Sequence, residues 1–90
     1  MASLTIKITG KVQGVFFRAS TKEQADRFGI KGFVRNERDG SVYVEAEGEK
    51  TALDQFVSWC KQGPSHAVVT DIKIAEVESK QFTSFKIDRR

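Results

Sequence analysis

The stretch GKVQGVFFR, residues 10–18, links an alternating segment to a helical one and ends on an arginine. Upstream, Leu4, Ile6, Ile8 and Gly10 alternate with Thr5, Lys7 and Thr9, the period-two pattern of a strand with one buried face. Downstream, Phe17, Thr21, Ala25 and Phe28 recur at helical spacing until Gly29 ends the run. Ser20 and Glu23 offer a capping box that would start this helix later. A start near Phe17 is preferred, because only that places the helix N-terminus at the loop. The nonapeptide then reads as strand, glycine-bearing loop and helix. Backbone N–H groups gathered at such a loop make an anion site, and Arg18 adds a planar fork of charged donors suited to phosphate oxygens.

The rest of the chain supplies the partners for this unit. Residues 30–35 and 41–47 are strand-like and are joined by Asn36, Glu37, Arg38, Asp39 and Gly40, where Asp-Gly favours a hairpin turn. Leu53, Phe56, Val57 and Cys60 fall on one helical face, with Thr51 as the expected N-cap and Gly63-Pro64 as the stop. Residues 68–77, around Ile72 and Ile74, form a long strand, and residues 83–88, around Phe85 and Ile87, a short terminal one. The order is βαββαβ with an additional C-terminal edge strand. Two helices on one face of a mainly antiparallel sheet give a two-layer α/β sandwich of the α+β class. The ferredoxin-like arrangement is its simplest closure.

Composition sets outer bounds. The 90 residues suffice for one core, so residues 1–90 are read as a single domain. No stretch is long and apolar enough to span a bilayer, and the charged, alternating N-terminus is not a signal peptide. The lone Cys60 cannot form an intramolecular disulfide, so a cytoplasmic setting is the default. The net charge of +3 favours anionic ligands. Its lysines and arginines are scattered, however, and the longest basic run is Arg89-Arg90. Scattered charge reads as a solvated surface rather than a nucleic-acid patch.

Two motifs in this sequence resemble the signatures of the acylphosphatase family. The first family pattern, G-x-V-Q-G-V-x-F-R, is met by Gly10, Val12, Gln13, Gly14, Val15, Phe17 and Arg18. The second, G-[FYW]-[AVC]-[KRQAM]-N-x-x-x-G-x-V, is met by Gly32, Phe33, Val34, Arg35, Asn36, Gly40 and Val42. A weaker feature, Gly-Pro followed by alanine and valine, occurs at Gly63, Pro64, Ala67 and Val68. The resemblance spans nearly the whole chain and implies the same ferredoxin-like fold.

The residues absent from the chain agree with that chemistry. Cys60 and His66 are the only cysteine and histidine; Cys60 lies on an apolar helical stripe, and His66 sits alone in a loop after proline. No cluster has metal-ligand spacing, and Glu45, Glu47 and Glu49 read as a solvated rim. A site without an evident general acid suits a leaving group that departs unprotonated. A carboxylate, whose conjugate acid ordinarily titrates near about pH 4, is one, and acyl phosphates carry it. Positioning and electrostatic stabilisation can do most of such a phosphoryl transfer.

What the resemblance implies is more specific. Backbone N–H groups of Gln13, Gly14, Val15, Phe16, Phe17 and Arg18 would hold the phosphoryl oxygens. The Arg18 guanidinium would bind them, and Asn36 would position the attacking water. An acyl phosphate would be the substrate, a carboxylate and inorganic phosphate the products, with no metal or cofactor. No nucleic-acid or membrane partner is expected, and a monomer is the default. Taken singly, Arg18 reads equally as a surface arginine laid along Phe28, and Asn36 as a turn residue. Two rivals remain: a noncatalytic anion-binding module, and an RNA-binding module of the same topology. Lys31-Gly32-Phe33 opens like an RNA-binding signature, but Val34, Arg35 and Arg38 break it. No aromatic platform on the central strands is expected.

Overall fold

In β1 (Ala2–Lys11) the alternation drives every second side chain inward, and Ile6 and Ile8 are fully buried. A computed structural model describes residues 1–89 of the chain; Arg90 lies outside them. The remaining elements are α1 (Phe17–Phe28), β2 (Lys31–Asn36), β3 (Val42–Gly48), α2 (Lys50–Gln62), β4 (Val68–Glu76) and β5 (Phe85–Ile87). The sheet order is β4-β1-β3-β2-β5, antiparallel throughout except for the parallel β2–β5 pair. This is the expected ferredoxin-like α+β sandwich with its extra edge strand. None of its helices is long and apolar enough to cross a membrane, among the described residues.

One face of the sheet carries the core. Ile6, Ile8, Val34, Val42, Val44 and Ala46 meet Ala25 of α1 and Leu53, Phe56 and Cys60 of α2. Both helices stop at glycine as expected: the Gly29 N–H donates to the Ala25 and Asp26 carbonyls, and the Gly63 N–H to that of Trp59. The start of α1 is at Phe17, and Ser20 is already its fourth residue, so the capping box is not used. The start of α2 differs from expectation. Glu49 is the N-cap and Thr51 is the second helical residue, with no side-chain cap bond.

The other face departs further from the sequence reading. Residues 77–84 cross it from β4 at one edge to β5 at the opposite edge. The segment is tied at both ends: the Val77 N–H donates to the Ser3 carbonyl of β1, and the Gly32 N–H of β2 donates to the Ser84 carbonyl. Between these ends, the N–H groups of Lys80 and Phe82 donate to the Glu47 carboxylate, as does the Ser3 hydroxyl. Lys80 Nζ lies 2.7 Å from Glu45 Oε1. Glu45 and Glu47 are therefore buried beneath this strap, and only Glu49 fits the expected solvated rim. Burial pushes the Glu47 pKa up, but its hydrogen bonds outweigh that and hold it at about 2.

Aromatic side chains also stand on this face, contrary to expectation. Phe33 of β2 and Tyr43 of β3 are half-buried, with ring centroids 6.0 Å apart. Arg35 lies over both rings, Phe82 of the strap meets Phe33 edge-on at 5.9 Å, and the Tyr43 hydroxyl donates to Glu45. These rings are packed against protein groups and flanked by buried carboxylates. They do not form an open stacking surface of the kind single-stranded RNA requires.

Candidate active site

The loop between β1 and α1 is shaped by three apolar anchors. Val12, Val15 and Phe17 are buried, and the Phe17 ring packs on Trp59 with centroids 5.6 Å apart. Gly14 and Phe16, between the anchors, are left outside. Gly14 has φ 75°, a conformation that only glycine adopts freely. Phe16, the N-cap of α1, is also left-handed, with φ 62° and ψ 25°. That geometry costs a residue with a side chain about 1–2 kcal/mol.

The consequence is a helix N-terminus with no side-chain cap and no acidic residue in its first turn. Ser20 is the first residue whose N–H finds a carbonyl of this stretch, that of Phe16 at 3.0 Å. The N–H groups of residues 13–19 donate to no described residue. Unfilled donors and the positive end of the helix dipole therefore converge at one loop.

Asn36 arrives from the other side, as the last residue of β2, paired with Val42. The turn after it is cross-linked by polar contacts. Asp39 Oδ1 accepts from the Ser41 N–H at 3.0 Å and from its hydroxyl at 2.6 Å, and Asp39 Oδ2 lies 2.8 Å from Lys7 Nζ. Those bonds, that of Lys7 first, hold the Asp39 carboxyl well below its usual range. Gln13 Nε2 donates to the carbonyls of Glu37, at 2.8 Å, and Ser41, at 3.0 Å. The β1–α1 loop is thereby tied to the turn that follows Asn36.

Between loop and strand lies a cavity of about 320 Å³. Arg18, Asn36, Arg89 and Gly14 line it on polar terms, and Val12, Phe16, Phe17 and Ile87 supply apolar wall. The side chains of Arg18 and Asn36 make no hydrogen bond or ion pair with a described residue. No carboxylate, histidine or cysteine lines the space, among the described residues. With two arginines and a helix N-terminus at its walls, the cavity favours an anion.

Set against the sequence reading, Gly14, Phe16, Phe17, Arg18 and Asn36 share one cavity. The side chains of Gln13 and Val15 are used elsewhere, the Gln13 amide by the turn and Val15 by the core; the expectation for both concerns their backbone N–H groups. Arg27, not Arg18, stands over Phe28. Cys60 is fully buried, and burial pushes its thiol up to about 12. His66 is exposed, away from the cavity lining. No three His, Cys, Asp or Glu side chains are placed to hold a metal, among the described residues. Ile87 and Arg89 were not anticipated. They reach the site because β5 runs parallel to β2, with the Asp88 N–H donating to Val34 O, a long-range pairing without a local signal.

Comparisons with known proteins agree with one another. The family model described as acylphosphatase matches residues 4–87. An acylphosphatase of Rubrobacter xylanophilus is 49% identical over 71 residues, which cover 79% of this chain and 64% of that protein. An acylphosphatase of Lactiplantibacillus plantarum is 43% identical over 88 residues, 97% of this chain and 98% of that one. The crystal structure of acylphosphatase from Bacillus subtilis matches with a TM-score of 0.96 at 38% identity, covering 99% of this chain and 100% of that chain.

Proposed function

This chain belongs to the acylphosphatase family and hydrolyses the carboxyl–phosphate bond of acyl phosphates, and we propose how the cavity between its phosphate loop and Asn36 performs that reaction. The phosphoryl group sits against the unfilled N–H groups of the loop and the first turn of α1, with the Arg18 fork on its oxygens. The Asn36 carboxamide holds a water in line with the scissile P–O bond. Attack forms the new P–O bond as the old one breaks, and the carboxylate leaves with the bonding electron pair. The proton of the water passes to a phosphoryl oxygen, since no lining side chain can accept it. The products are a carboxylate and dihydrogen phosphate.

One observation carries this reading: Arg18 and Asn36, from separate motifs, face one cavity with their side-chain groups unpartnered among the described residues. The leaving carboxylate needs no acid, so fixed donors aimed at the transferring group are sufficient catalysis. We further propose that the chain acts as a single domain and a monomer in the cytoplasm, without metal, cofactor or nucleic acid. The packing of Phe33, Tyr43, Arg35 and Phe82 on one another argues against RNA binding.

Phosphate release from benzoyl phosphate, with a phosphomonoester such as phenyl phosphate as control, tests the function. Cleavage of the anhydride alone, undiminished by EDTA, is expected. Equal cleavage of both, or activity lost to EDTA and restored by a divalent cation, would count against the mechanism.

A further inference from the structure

Phe16 combines three features that the fold alone does not require. It is 81% exposed, its backbone is left-handed, and its ring takes part in no aromatic pair or cation–π contact among the described residues. Its neighbours Val15 and Phe17 are both buried, so the loop has its anchors without it. Glycine would take the same backbone conformation freely and expose no apolar surface. Yet Phe16 lines the cavity that holds Arg18 and Asn36, and Val12 and Ile87 extend apolar wall there.

We propose that Phe16 is a specificity-determining residue whose ring is the docking face for the acyl part of the substrate. It selects aromatic or extended apolar acyl groups over an acetyl group. The inference rests on the cavity being the acyl phosphate site. A phosphoryl group held at the N–H groups beside Phe16 must project its acyl group out of the loop, and the N-cap side chain stands at that exit. An aromatic acyl group stacked on or meeting the edge of the ring gains contact that a methyl group cannot make.

The test compares kcat/KM for benzoyl phosphate and acetyl phosphate in the native protein, F16G and F16Y. Glycine keeps the left-handed N-cap and removes the ring; tyrosine keeps the ring. The benzoyl-to-acetyl ratio is expected to fall about 5-fold in F16G, mainly through KM, and to persist in F16Y. A loss shared equally by both substrates would assign Phe16 to loop structure alone and overturn the proposal. No change in either substrate would overturn it too, leaving the exposed ring to some other contact. Native protein inactive on both acyl phosphates would instead overturn the function beneath the proposal, a result distinct from an active enzyme whose ratio ignores residue 16.

Discussion

Arg18 and Asn36 differ in when their interactions matter. In the proposed mechanism the Arg18 guanidinium meets a phosphoryl dianion in the ground state and more strongly as charge spreads over its oxygens during transfer. Arg18→Ala is therefore expected to lower turnover by about 10²–10³, the scale of losing one transition-state donor. Arg18→Lys should recover only part of that, because an ammonium cannot reproduce the bidentate fork. Steady-state hydrolysis of benzoyl phosphate measures both. In the same mechanism Asn36 orients a water that matters only in the reaction. Asn36→Ala should lower kcat while inhibition by inorganic phosphate stays nearly constant. A variant that binds phosphate poorly but turns over normally once saturated would remove Asn36 from the reacting centre.

The β1–α1 loop and the β2–β3 turn are separate in sequence, and Gln13 joins them by two hydrogen bonds. Each neutral bond of this kind contributes about 0.5–1.5 kcal/mol. Gln13→Ala should thus cost about 1–2 kcal/mol in urea denaturation. It should also reduce kcat, since Asn36 loses its fixed distance from the loop, while a binding residue would chiefly raise KM. The motif assigns Gln13 a backbone N–H in the proposed phosphate cradle, but nothing in the order of residues says where its amide side chain turns. What was legible were the elements themselves. Period-two and helical spacing located β1 and α1, and the start at Phe17 followed from requiring the helix end to face the loop. Thr51 was misassigned because cap preference is a weak local effect: the α2 N-terminus forms at Glu49, and the Leu53 N–H donates to its carbonyl at 2.9 Å.

The longest-range feature of the molecule is the strap of residues 77–84, and the error over Glu45 and Glu47 shows why it was invisible. Both carboxylates stand on the face away from the helices, and the sheet order, with β4 and β5 at opposite edges, requires the chain to cross that face. The crossing buries them, and it also delivers β5, whose end brings Ile87 and Arg89 to the cavity. Glu47 fastens the strap by accepting from Ser3, Lys80 and Phe82. Its folded pKa of about 2 lies below the ordinary value of 4.5. The ionised group thus contributes stability that is fully present above about pH 4.5 and is lost as pH falls through about 2. Glu47→Gln keeps the shape but offers an NH₂ to groups that donate. It should cost about 1.5–3 kcal/mol at about pH 7, the range for hydrogen bonds to a charged group. Urea denaturation of both proteins at about pH 7 and about pH 2.5 should show that difference shrinking at the acid end. A gap of the same size at both pH values would mean that the carboxylate's charge does not hold the strap.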